Sequence, residues 1–257
     1  MIGKRRRMQR ILKNGRSVIL PMDHGITQPE KGIEKVDRVV EVVQEYVDAI
    51  IVHKGVAKRS EVIAEMDAGL IIHLSGSTMW AEDPNDKRLV TTVEKAISLG
   101  ADGVSMHVNI GSKTEADQIE KLGYVSEVCD WYSIPLLAMM YPRGDIEVNT
   151  ETVKHAARIG YELGADIIKV PYTLKFEKVT AICDLPVVIA GGSKGSEYEL
   201  YKKVEDAMSR GAAGVAVGRN IFNSSHPAKV AKALHMIVHN NLSAEDVIEY
   251  EGNMVVG

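Results

Sequence analysis

The chain has 257 residues, of which 45% are hydrophobic and 26% charged, with a formal net charge of −4. This supplies a sizeable core, and the acidic balance argues against a general nucleic-acid binder. No apolar run approaches the roughly 20 residues that cross a bilayer, so no membrane partner is expected.

Two cysteines, Cys129 and Cys183, are too few for a disulfide framework and lack metal-ligand spacing. The N-terminal segment 1–16 is basic, and Arg10, Lys13 and Arg16 interrupt the apolar stretch that a secretion signal needs. A cytoplasmic, reducing setting is the expectation. Lys4, Arg5, Arg6 and Arg7 fit a solvated first helix or a subunit contact better than a polyanion site, because the chain as a whole is acidic.

Along the chain, short apolar runs alternate with amphipathic stretches. The first run, 17–22, ends in Asp23-His24-Gly25, and a helix over 34–46 places Val36, Val39, Val40 and Val43 on one face. The run 47–52 leads into His53, and 69–74 carries His73. A helix over 87–99 follows, then a strand over 103–108 that carries His107 and leads to Asn109. Beyond a helix over 113–132, the run 135–140 leads into Tyr141-Pro142-Arg143-Gly144, with a helix over 150–163 behind it. The run 166–170 contains Lys169, 186–190 leads into Gly191-Gly192-Ser193, and 213–218 leads from a helix over 196–209 into Arg219-Asn220. A helix over 227–239 and a polar, acidic tail, 240–257, complete the chain.

Each run is continuously apolar rather than alternating, which is how a strand buried on both faces reads. Gly100, Gly164 and Gly211, each followed by Ala, sit where left-handed helix C-caps are expected. Eight strand–helix units in a chain near the roughly 250 residues of one α/β barrel predict a single-domain (β/α)8 TIM barrel over 1–257. A doubly wound sheet would call for a glycine fingerprint after its first strand, and none is present.

Such barrels place their chemistry at the carboxyl ends of the strands. Lys169 is the informative residue there. A buried ammonium is costly, and a neutral amine is what Schiff-base chemistry on a carbonyl requires; the plainer alternative is an edge-strand lysine that reaches water. Tyr141 and Asp23 supply proton shuttles for such chemistry, although each alone suits a packing or turn residue. Gly191, Gly192, Ser193, Gly218 and Arg219 offer backbone donors and positive charge where barrels commonly hold a phosphate. His24, His53, His73 and His107 converge at strand ends, but no carboxylate pairing accompanies them, and no metal is expected.

These motifs resemble the archaeal-type class I aldolase family. The resemblance rests on Pro21-Met22-Asp23-His24-Gly25, Tyr141-Pro142-Arg143-Gly144, Asp166 leading to Lys169, Gly191-Gly192 and Ala216-Val217-Gly218-Arg219-Asn220, and runs from about Arg7 to His239. The loops around His53, His73-Leu74-Ser75-Gly76-Ser77, His107-Val108-Asn109 and Met140-Tyr141 look most like its heptulosonate-synthase branch. Two positions depart from the family pattern, Pro171 and Ser193, and both bear on loop shape near the lysine and the phosphate.

The resemblance implies a transaldolase of archaeal aromatic amino acid biosynthesis, in which Lys169 forms the Schiff base, Tyr141 moves the proton and Asp23 assists. The implied substrates are a phosphorylated ketose, 6-deoxy-5-ketofructose 1-phosphate, and L-aspartate semialdehyde. Phosphate is expected at the glycine loops with Arg219 and the acceptor at the neutral cluster of His53, His73, His107 and Asn109, with His24 also at the substrate site and Arg143 a candidate for a second phosphate. No cofactor is implied, since the protonated imine is the electron sink, and a ring-shaped homo-oligomer is. A class I fructose-bisphosphate aldolase is the alternative enzyme. A non-catalytic phosphometabolite-binding barrel is the alternative of another class, and it leaves a buried lysine without a purpose.

Overall fold

In a computed structural model, residues 1–192 and 195–255 are described. Eight parallel strands close into a barrel: β1 (Ser17–Pro21), β2 (Ala49–Val52), β3 (Gly69–His73), β4 (Gly103–Ile110), β5 (Leu136–Pro142), β6 (Ile167–Val170), β7 (Val187–Ala190) and β8 (Gly214–Ala216). Each pairs with its neighbours in sequence, and β1 pairs with β8.

The continuous apolar runs are explained by burial on two sides. Val18, Leu20, Ile50, Val52, Ile72 and Ile168 face outward and pack against the helices. The residues between them, among them Ile19, Ile51, Ile71, Met139, Ile167 and Val188, fill the barrel interior. Alternation therefore divides two apolar environments rather than core from water. Gly100, Gly164 and Gly211 end their helices at φ of 82°, 85° and 88°, the left-handed conformation expected of them.

Two segments differ from the sequence expectation. The first helix, Ile2–Ile11, closes the floor of the barrel, with Ile11 and Leu12 joining the interior cluster. A Cβ on Gly103 would stand 2.7 Å from Ile11 Cδ1, so glycine there admits the plug. Lys4 pairs with Asp166 at 2.8 Å and Arg10 with Asp102 at 2.9 Å, while Arg5 and Arg6 remain exposed. Part of the basic cluster is thus a clamp, not a solvated face.

The helix predicted over 87–99 forms only at Val93–Ser98, where Thr92 accepts a hydrogen bond from the Lys95 amide. Arg88–Leu89 instead pairs with Ser75–Gly76 in a small antiparallel hairpin over the barrel mouth. The β-branched Thr91 and Thr92 favour this extended path, and Thr92 is a good cap. The polar tail forms a helix, Ala244–Val255, with Ala244 and Val247 buried and Tyr198 donating to Glu245 at 2.8 Å.

Candidate active site

A cavity of about 560 Å³ opens at the carboxyl end of the barrel. Strand register sets its floor. Lys169 on β6 lies opposite Met139 on β5, which lies opposite His107 on β4, so the three share one inward row. One pleat nearer the mouth, Asn109 pairs with Tyr141. The lysine is therefore below the phenol and beside it. Only 6% of Lys169 is exposed, and among the described residues its amine has no hydrogen-bond partner and no carboxylate within ion-pair distance.

A 3-10 turn, Asp23–Ile26, follows β1 and turns Asp23 and His24 toward the same space. Asp23 Oδ2 stands 3.8 Å from His73 Nε2 and Oδ1 3.9 Å from His24 Nδ1, too far for hydrogen bonds. Burial alone raises the Asp23 carboxyl, but in the acid range where it titrates the charged rings of His73 and His24, with Lys169 and His53, outweigh this and hold the group well below the usual carboxylate range. Asp23 is an anion.

His73 is held by Ser105 Oγ at 2.8 Å and Ser75 Oγ at 3.3 Å, and burial pushes its pKa down to about 4. Burial also lowers His24, His53 and His107. These rings are neutral hydrogen-bonding groups near pH 7. His24 Nδ1, His53 Nε2, His107 Nε2, Asn109 Oδ1 and Asp23 Oδ1 are buried without partners. Unsatisfied buried polar atoms are uncommon in folded proteins, and a polyhydroxylated ligand would satisfy those that line the cavity.

Tyr141 lies between two of the expected residues. Its ring centroid is 4.8 Å from that of His107, and the Arg143 guanidinium carbon lies 4.9 Å over its face. Across the cavity, Gly192 has φ +77°, and a Cβ on Gly218 would fall 2.6 Å from the Pro21 carbonyl and 2.8 Å from His24 Cε1. Side chains are excluded there, which leaves bare backbone beside Arg219 at the start of the helix Arg219–Phe222.

Of the residues singled out from the sequence, Asp23, His24, His107, Asn109, Tyr141, Arg143, Lys169, Gly191, Gly192, Gly218 and Arg219 line this one cavity. His53 stands behind it, with its ring edge-on to His73 at 5.3 Å. Ser193 lies outside the described residues. Pro171 and Tyr172 line the cavity too, and the Tyr172 hydroxyl donates to Asp206 at 2.6 Å, tying the loop after β6 to a neighbouring helix.

Other lining residues were missed, among them the polar Thr27, Asn85, Lys87 and Lys203. Lys203 sits on the helix Glu197–Ser209, with its amine 3.5 Å from where a Gly192 Cβ would be. Nothing in the sequence separates it from a solvated helix lysine. Lys87 likewise reads in the sequence as the polar start of the helix expected over 87–99. Among the described residues, no group of three or more His, Cys, Asp or Glu could hold a metal ion.

Known proteins share this architecture. A relative from Archaeoglobus fulgidus, 2-amino-3,7-dideoxy-D-threo-hept-6-ulosonate synthase 1, is 76% identical over 257 residues, covering 100% of this chain and 99% of that one. From Streptomyces griseus, 2-amino-4,5-dihydroxy-6-oxo-7-(phosphonooxy)heptanoate synthase is 41% identical over 235 residues, with 88% and 86% covered. A solved Schiff-base-forming fructose-1,6-bisphosphate aldolase superposes with a TM-score of 0.84 at 30% identity, covering 92% of this chain and 100% of that one. The family model for DeoC/LacD family aldolases matches residues 17–224, which span all eight strands. The chain belongs to the DeoC/LacD aldolase family.

Proposed function

We propose that this enzyme is a Schiff-base transaldolase that makes 2-amino-3,7-dideoxy-D-threo-hept-6-ulosonate from 6-deoxy-5-ketofructose 1-phosphate and L-aspartate semialdehyde. The carrying observation is the buried, unpaired Lys169 amine one row below Tyr141 in a cavity that also holds Asp23. The identity to the Archaeoglobus fulgidus synthase supports the choice of substrates.

The Lys169 amine adds to the ketone beside the donor's methyl group and loses water to give a protonated imine. The donor hydroxyl across the central carbon–carbon bond gives up its proton to Tyr141. That bond breaks, its electron pair enters the imine as an enamine, and a phosphorylated three-carbon aldehyde leaves. The enamine attacks the aldehyde carbon of L-aspartate semialdehyde, the new alkoxide takes the proton back, and water frees the amine. Asp23 assists at the dehydration and hydrolysis steps. Four acceptor carbons and three donor carbons make the seven of the product. The exchange is proton-neutral and needs no Lewis acid.

Gly191, Gly192, Gly218 and Arg219, with Lys203, form an anion cradle toward the lysine-bound half of the substrate. A phosphate sits there when the donor carries one next to the reacting ketone. This favours a second reading, a class I fructose-bisphosphate aldolase, for which such a phosphate is required. A 7-deoxy product has a methyl group at that end, and its donor carries the phosphate on the departing half. The unpaired Cys129 and Cys183 fit a reducing cytoplasm. The exposed Trp131, at 74%, and Ile2, at 80%, fit contacts in a ring-shaped homo-oligomer.

The test is product formation. The purified enzyme, given both substrates, should yield the seven-carbon amino acid by mass spectrometry. Cleavage of fructose 1,6-bisphosphate with no product from L-aspartate semialdehyde would move it to the second reading.

A further inference from the structure

The cavity has a second cationic end that the fold brings together from two loops. Lys87 reaches it from the segment that leads into the Arg88–Leu89 hairpin strand, only 9% exposed, with its amine donating to Ser77 Oγ at 2.6 Å. Arg143 reaches it from the end of β5, over the Tyr141 ring. Both line the same cavity as Tyr141, His107 and Asn109. Neither makes an ion pair among the described residues. Burial pushes the Lys87 ammonium below its ordinary value, and the Arg143 charge adds to this against the opposing pull of Asp23 and Asp83. Two like charges lining one cavity with no carboxylate in ion-pair contact are stabilised by an anionic ligand.

The position of Tyr141 says which part of the substrate lies there. The hydroxyl that loses its proton during bond cleavage belongs to the half that departs. Its proton partner, Tyr141, therefore marks the departing side, and Arg143 and Lys87 stand beyond it. Whatever replaces the departing half must enter on that same side, because its aldehyde carbon bonds to the same enamine carbon. The departing half ends in a phosphate and the entering acceptor in a carboxylate. Counted from the aldehyde carbon, the acidic oxygens of the phosphate are one bond farther out. A lysine on a flexible four-carbon stem accommodates that difference.

We propose that Lys87 and Arg143 form one anion subsite used twice in each turnover, first by the donor's phosphate and then by the acceptor's carboxylate. This rests on the transaldolase reading and deepens it. The unpartnered Asn109 Oδ1, oriented by Asn109 Nδ2 donating to the Asn85 carbonyl at 2.9 Å, is the group placed to accept from the acceptor's ammonium. The double use makes the order obligatory: the phosphorylated aldehyde must leave before the acceptor binds.

The test compares wild type, Lys87→Gln and Lys87→Arg with three ligands. Hydroxyacetone delivers the same lysine-bound half with neither anion, so borohydride trapping of it should be equal in all three proteins. For Lys87→Gln, kcat/KM for the phosphorylated ketose and for L-aspartate semialdehyde should both fall by about 10–100-fold, the loss of one charge-assisted contact. Lys87→Arg should recover most of both, and inorganic phosphate should compete against each substrate in wild type. A loss confined to one of the two substrates overturns the shared subsite. So does a matching loss of hydroxyacetone trapping, which would place Lys87 in support of the lysine itself. Wild type that traps the ketose but makes no product from L-aspartate semialdehyde refutes the transaldolase reading first, and the shared subsite with it.

Discussion

At the scale of single residues, the account depends on what Lys169 can do that another cation cannot. Lys169→Arg keeps a positive charge in the buried row but stays protonated and cannot add to a carbonyl. It should be as inactive as Lys169→Ala, with turnover of either at the wild-type rate ruling out the mechanism. Arg219→Ala should weaken trapping of dihydroxyacetone phosphate by about 1.5–3 kcal/mol while leaving hydroxyacetone unaffected, as for loss of one charged hydrogen bond. Equal effects on the two ketones would remove Arg219 from the anion cradle. Asn109→Leu should lower the preference for L-aspartate semialdehyde over succinate semialdehyde, which lacks the amine, by about 10-fold. Measuring both acceptors with the same pre-formed enamine checks this directly.

At the scale of elements, the strands were legible because burial on two sides makes each one a continuous apolar run. The glycine C-caps were legible because few other residues tolerate φ near +85°, the value at Gly164. The segment 87–99 was misread because Lys87 and Arg88 look like the polar face of a helix until the hairpin partner Ser75–Gly76 is known. The same lack of tertiary information hid Lys87 and Lys203 from the site. A charged side chain on a loop or helix looks solvated in one dimension, and only packing decides where its head goes. By contrast Asp23, Tyr141 and Lys169 could be found, since the end of a barrel strand fixes a side chain's direction. The first helix was also undervalued, and its role predicts a stability effect. Ile11, 1% exposed on the barrel floor, should cost about 2–5 kcal/mol when changed to Ala, read by denaturant unfolding. A change within 0.5 kcal/mol would mean the plug carries little of the fold.

At the scale of the whole molecule, the buried polar cluster over the barrel makes stability depend on pH. His73 titrates near 4 in the folded chain and near its ordinary 6.5 when unfolded, because burial disfavours its charged form. Between those values the unfolded state binds more protons, so stability is full above about 6.5 and falls as pH drops toward 4. Asp23, held low in the fold, adds loss in the same direction as pH falls through the carboxylate range. His73→Gln should flatten the pH dependence of the unfolding midpoint between pH 6.5 and 4, and an unchanged slope would show that other groups govern it. Activity should persist after EDTA treatment, because the imine carries the electron pair during bond cleavage. Loss reversed by zinc or another divalent ion would point to different chemistry.

The central claim is that Lys169 holds the three-carbon unit covalently between donor and acceptor. Its most direct test is borohydride reduction after mixing with 6-deoxy-5-ketofructose 1-phosphate, followed by peptide mass mapping. The account predicts adducts on Lys169 alone, one of the intact donor and one of the unphosphorylated three-carbon unit reduced through the iminium form of its enamine. The second should disappear when L-aspartate semialdehyde is added before the borohydride. An adduct on another lysine, or a three-carbon adduct on Lys169 that the acceptor fails to discharge, would contradict it.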